Sequence, residues 1–92
     1  MIINFKDRLT ENIWNGKRVK LDSIVQRKAL LKLRYLELAT ELDDLLVPPG
    51  NRLEALKGKR KGQYSIRVNQ QNRICFKWTE NGAENVEFVD YH

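Results

Sequence analysis

The run Pro48-Pro49-Gly50 divides this chain into two parts with different hydrophobic periods. Ahead of it, Leu21, Ile24, Leu31, Tyr35, Leu38 and Leu42 recur at three- to four-residue and seven-residue intervals, and Leu30, Leu33 and Leu36 widen the stripe. That spacing predicts a long helix burying a broad face against a sheet. Ser23 and Gln26 fit a capping box at its start. Leu42, Leu45, Leu46 and Val47 add a further turn, which the prolines end, since proline lacks the amide and clashes with the preceding turn. Earlier, Asp7 is placed as an N-cap, with Leu9, Ile13 and Trp14 on one side of a short helix that stops near Gly16. Residues 2–5 form a short apolar strand.

Beyond the break the period falls to two. Tyr64, Ile66 and Val68 point one way along Gln63–Asn69, and Ser65, Arg67 and Asn69 the other. A polar turn, residues 69–72, leads into a strand where Ile74, Phe76 and Trp78 oppose Arg73, Cys75 and Lys77. The runs Arg73–Thr79 and Asn85–Tyr91 then flank a Glu80-Asn81-Gly82-Ala83 turn, the pattern of a β-hairpin. The sum is an α+β fold, with an N-terminal strand and two helices packed on an antiparallel sheet of three to four strands. Ninety-two residues suit a single domain, residues 1–92.

Charge is distributed unevenly. Seven basic residues and no acid lie between Lys57 and Lys77, whereas residues 1–50 hold nine basic and seven acidic. A local excess of this kind marks a phosphate-binding surface. The sheet face carrying Arg67, Arg73, Lys77 and Tyr91, bordered by Lys59, Arg60 and Lys61, suits single-stranded RNA, whose bases stack while its phosphates sit among cations. Lys17, Arg18 and Lys20 make a solvated connector. Arg27, Lys28, Lys32 and Arg34 flank the long helix, either solvated or touching RNA or a partner. The lone Cys75 excludes an internal disulfide and a cysteine-based zinc site. No apolar run approaches the ~18 residues needed to cross a bilayer. The expectation is a cytoplasmic protein with no membrane association.

Metal-independent RNA cleavage must deprotonate the 2′-hydroxyl, stabilise a pentavalent phosphate and protonate the 5′-oxygen. An imidazole suits either proton transfer because its unperturbed pKa is about 6.5, which singles out His92, the sole histidine, and Arg73 and Lys57 supply charge. With Glu54, Asp90 and Tyr91 these make up the candidate catalytic set. No cofactor or metal is implied. The same residues also admit a non-catalytic RNA- or ribosome-binding module that blocks translation by occupancy, or a protein-interaction domain whose charge serves an acidic partner.

The stretch LKGKRKGQYSIRVNQQNRICFKW, the closing VEFVDYH and the preceding PPGNRLEALKG resemble the HigB branch of the RelE-type toxins of bacterial toxin–antitoxin pairs. The resemblance implies a compact RelE-like fold and a ribosome-dependent endoribonuclease that cuts mRNA in the decoding site and stops translation. It places the family's cationic positions on Lys57 and Arg73 and its terminal acid, tyrosine and histidine on Asp90, Tyr91 and His92. At Glu54 some members carry a histidine, so Glu54 acts either as general base or as an ion-pair partner of Lys57 or Arg73. The implied partners are the ribosome and mRNA, and a helix-turn-helix, HigA-like antitoxin through which alone operator DNA is bound.

Overall fold

The computed structural model describes residues 1–90; Tyr91 and His92, both in the expected catalytic set, lie outside the described residues. Its elements are α1 (Arg8–Trp14), α2 (Ser23–Leu38), β1 (Glu54–Ala55), β2 (Tyr64–Arg67), β3 (Asn72–Thr79) and β4 (Gly82–Asp90). The four strands form one antiparallel sheet in the order β1-β2-β3-β4, each paired with its neighbour in sequence.

The expected N-terminal strand is present as two isolated parallel bridges to β4, Ile2 to Ala83 and Phe5 to Val86. It exchanges main-chain hydrogen bonds with β4, among them Ala83 N to Met1 O at 2.8 Å and Lys6 N to Val86 O at 2.9 Å. The final hairpin is shifted from the expectation. The loop is the dipeptide Glu80-Asn81, and Gly82 and Ala83 already belong to β4: they pair with Thr79 and Trp78, and Met1 and Ile3 hold Ala83 from the other side. At Gly82, with φ of +134°, an added Cβ would come within 2.1 Å of the Met1 carbonyl oxygen. Asn85 sits at φ +53° beside a register shift between β3 and β4, and its amide donates to Asn4 Oδ1 at 2.6 Å.

Asp7 caps α1 as expected, accepting from Thr10 N at 2.8 Å. Thr10 is fully buried and satisfied on both sides: its hydroxyl donates to Asp7 Oδ1 and accepts from Phe88 N on β4 at 2.9 Å. The cap of α2 differs from the expectation. Asp22, one residue before Ser23, accepts from Ile24 N and Val25 N, while Gln26 reaches outward to Lys17 O and Val19 N.

The face of α2 that meets the sheet is only part of the stripe predicted from leucine spacing, which included Leu33 and Leu36 but not Ala29. Ala29, Leu33 and Leu36 are fully buried there, whereas Ile24, Leu31 and Leu38 face solvent. The sheet packs on α2 with Ile66, Val68, Ile74, Phe76, Val86 and Phe88, and Tyr64 and Trp78 lie half-buried at the margin. Each fully buried leucine contributes about 2 kcal/mol by removal from water. After α2 the chain runs through a 3₁₀ turn over Leu42–Leu46, where Leu45 is buried, and a second over Pro49–Asn51. Proline therefore opens the second turn at its first position, where its missing amide has no partner to lose. The side chain of Asn51, fully buried, donates to Leu45 O and Val47 O and accepts from Lys32 Nζ at 2.6 Å, fixing the route into β1.

Candidate active site

The second face of the sheet carries the polar residues in register. Ser65 of β2 lies across from Glu54 of β1 on one side and Cys75 of β3 on the other, and Arg67 lies across from Arg73. This face was expected to be open. Instead Ser65 and Cys75 are fully buried and Arg73 is only 9% exposed, and Arg60 reaches to Glu87 of β4, Nη1 to Oε1 at 3.1 Å.

Arg73 is held from three directions. Its Nε donates to Ser65 Oγ at 2.7 Å, and its Nη2 donates to the main-chain carbonyl of Arg52 at 2.5 Å. The same Nη2 lies 3.7 Å from Glu54 Oε2. A lysine has no such planar fork, so the site demands arginine. Arg52 reaches this position by adopting left-handed backbone, φ +45° and ψ +56°, as it closes the 3₁₀ turn after the prolines. A residue with a Cβ adopts that conformation at a cost of about 1–2 kcal/mol, so the surrounding hydrogen bonds must enforce it.

Arg52, Glu54, Arg67, Asn69, Gln70 and Arg73 line an open cavity of about 370 Å³. Arg67 is aimed by its own turn: its Nε donates to Asn69 O at 3.1 Å, and Asn69 Oδ1 accepts from Gln71 N and Asn72 N at 2.8 Å. Among the described residues, three guanidiniums thus share one cavity with one carboxylate. Like charges directly across a strand pair repel, so the arrangement suits an anionic ligand that spreads charge over several oxygens, as a phosphodiester does.

The structure brings together Glu54, Arg67 and Arg73 of the expected residues, and pairs Glu54 with Arg73. Asp90 ends β4 opposite Asn72, at the mouth of the same turn, and is exposed. Lys57, Lys59 and Lys61 are exposed on the loop between β1 and β2 and are not among the described residues lining the cavity. Arg60 is turned to Glu87 and Gln63. Lys77 is exposed towards the other end of β3, in register with Glu84. Arg52, Ser65 and the turn amides Asn69 and Gln70 were not foreseen as part of the cleft. Their one available signal was position: Ser65 and Arg67 share a strand face, and the polar turn joins two strands that each bring an arginine.

Comparison with known proteins settles the lineage. Residues 3–92 match the family described as the RelE-like toxin of the type II toxin–antitoxin system HigB. The chain belongs to that family. The HigB-like chain is 40% identical over 94 residues to Toxin HigB-1 of Vibrio cholerae serotype O1, covering 100% of this chain and 98% of that one. It is also 36% identical over 73 residues to an uncharacterized protein of Haemophilus influenzae, covering 79% of this chain and 71% of the other. Among solved structures, its fold is similar to the YoeB–YefM complex of Staphylococcus aureus, with a TM-score of 0.64 at 19% identity over 100% and 95% of the two chains. The YoeB dimer from the same organism gives 0.59 at 17% identity over 100% and 93%. The expected RelE-like fold is therefore confirmed, and the chain is a toxin component of a type II toxin–antitoxin system. Ribosome-dependent mRNA cleavage is the activity known for RelE-type toxins. Among the described residues, no helix is long and apolar enough to cross a membrane.

Proposed function

We propose that this HigB-like toxin is itself an endoribonuclease, cutting mRNA in the ribosomal A site by acid/base chemistry. The observation that carries the reading is the cavity where Arg52, Arg67 and Arg73 converge beside Glu54. The 2′-oxygen attacks the adjacent phosphorus as it loses its proton. The bond from phosphorus to the 5′-oxygen then breaks, and the leaving oxygen takes up a proton, giving a cyclic phosphate and a free 5′-hydroxyl. Charge on the phosphoryl oxygens peaks midway, and fixed guanidiniums stabilise it without reorganising. Arg73 is the central cation, with Arg67 and Arg52 beside it, and Lys57, on the neighbouring loop outside the cavity lining, is assigned charge for the bound phosphate.

Glu54 has two roles open to it, proton acceptor from the 2′-hydroxyl or orienting partner of Arg73. Its 3.7 Å approach to Nη2 supports the second in the free protein. His92 is assigned proton transfer, Asp90 its placement and Tyr91 contact with a base. Lys59, Lys61 and Lys77 add long-range attraction for RNA. The family supports a partner antitoxin; ribosome and mRNA complete the set, in the cytoplasm.

The test is mapping of new mRNA 5′ ends after brief induction of wild type, Arg73→Ala and His92→Gln. Wild type should produce ends phased to codons, and each variant should lower them roughly a hundredfold while retaining its circular dichroism spectrum. Intact messages with stalled ribosomes in the wild type would replace this reading with blockade by occupancy.

A further inference from the structure

Helix α2 has a second apolar line that its core does not use. Ile24, Leu31 and Leu38 are 59%, 44% and 77% exposed, on the side opposite Ala29, Leu33 and Leu36. Seven residues are nearly two helical turns, so the three side chains stand in one row about 21 Å long. Single exposed apolar residues are ordinary on a protein surface; an aligned row on one helix is a contact stripe.

The borders of the row are basic beside Ile24 and Leu31, while Leu38 at its far end shares a cavity with Glu37 and Glu80. From Ser23 to Leu36 there are four cations, Arg27, Lys28, Lys32 and Arg34, and no acid. Lys32 is turned inward to Asn51 and over the Tyr35 ring, leaving Arg27, Lys28 and Arg34 exposed beside the stripe. Next to its N-terminal half lies a cavity of about 340 Å³ with Ile13 and Leu30 on its wall and Arg18 and Arg27 at its rim.

We propose that this face of α2 is the docking surface for an amphipathic helix of the antitoxin, with an apolar seam bordered by acidic side chains. The inference rests on the toxin–antitoxin reading above and adds the surface and the chemistry of the partner. Charge selects the occupant. A second copy of this chain would set three exposed cations against three more. RNA would answer the cations but would leave a row of leucine and isoleucine without a partner, whereas an acidic amphipathic helix satisfies both. The face lies on the layer opposite the arginine cavity, so its variants leave the cleft chemistry intact.

The experiment uses the full-length toxin and its purified cognate antitoxin. Leu31→Glu/Leu38→Glu should weaken binding at least a hundredfold, and Arg27→Glu/Arg34→Glu at least tenfold with loss of its salt dependence. Both should still arrest growth when expressed alone and should escape rescue by the antitoxin. Binding as tight as wild type by both variants overturns the proposal while the toxin–antitoxin reading stands. Loss of ribosome association with antitoxin affinity unchanged also overturns it, assigning the face to RNA. Failure of the wild-type toxin to bind the antitoxin at all overturns the docking surface together with the partner on which it rests.

Discussion

The side chain of Arg73 is fastened to the main chain of Arg52: Nη2 donates to the Arg52 carbonyl while the Arg52 side chain lines the same cavity. Arg52 therefore acts in two ways, as a backbone acceptor and as a second guanidinium, and the two are separable. Arg52→Gly keeps the carbonyl and adopts the left-handed backbone freely. Its stability should stay within about 0.5 kcal/mol of wild type. Cleavage of ribosome-bound message should fall roughly ten- to a hundredfold, as a lost charge-assisted contact contributes about 1.5–3 kcal/mol. Single-turnover assays on programmed ribosomes measure this, and wild-type rates would exclude the Arg52 guanidinium from catalysis.

A methyl group at Gly82 should be costly although the residue lies far from the cleft. Its Cβ would overlap the Met1 carbonyl oxygen, the acceptor for Ala83 N, and its φ of +134° is strained for any residue with a side chain. Gly82→Ala is expected to lose about 2 kcal/mol, read from urea unfolding. An unchanged midpoint would mean that the N-terminal segment contributes little to the sheet.

Cys75 should be chemically silent in the native protein. It is fully buried, and burial pushes its thiol above the ordinary value of 9.0; Arg60 opposes the rise and Glu87 adds to it. As pH climbs past that ordinary value the unfolded chain loses its proton first, so stability declines with alkalinity. Cys75→Ala should remove that decline. Alkylation of the wild type at pH 8 should proceed only as fast as unfolding, and a rapid labelling phase in native buffer would contradict it.

The change of period at Pro48-Pro49-Gly50 was readable because proline and alternation act locally, and the pairing of β2 with β3 followed from it. The orientation of α2 was not. Periodicity reveals that a helix has an apolar line, but α2 has two, and the buried one is headed by Ala29, which a search for leucines passes over. At the cleft, Arg67 and Arg73 were legible from charge and strand phase, whereas Glu54 entered only by residue type and by the family resemblance, with no strand expected around it. Arg52 was hidden because a left-handed turn at an arginine leaves no mark in the sequence, where a glycine would have. Arg60 was read as an RNA contact from its basic neighbours, yet its charge is engaged across the sheet by Glu87, a pairing between residues 27 apart.

The bridges from Ile2 and Phe5 to β4 join the first strand of synthesis to the last. Pairing partners about eighty residues apart in sequence must wait for nearly the whole described chain to be made, since the N-terminal segment has no other strand to pair with among the described residues. The sheet behind Arg73 closes only then.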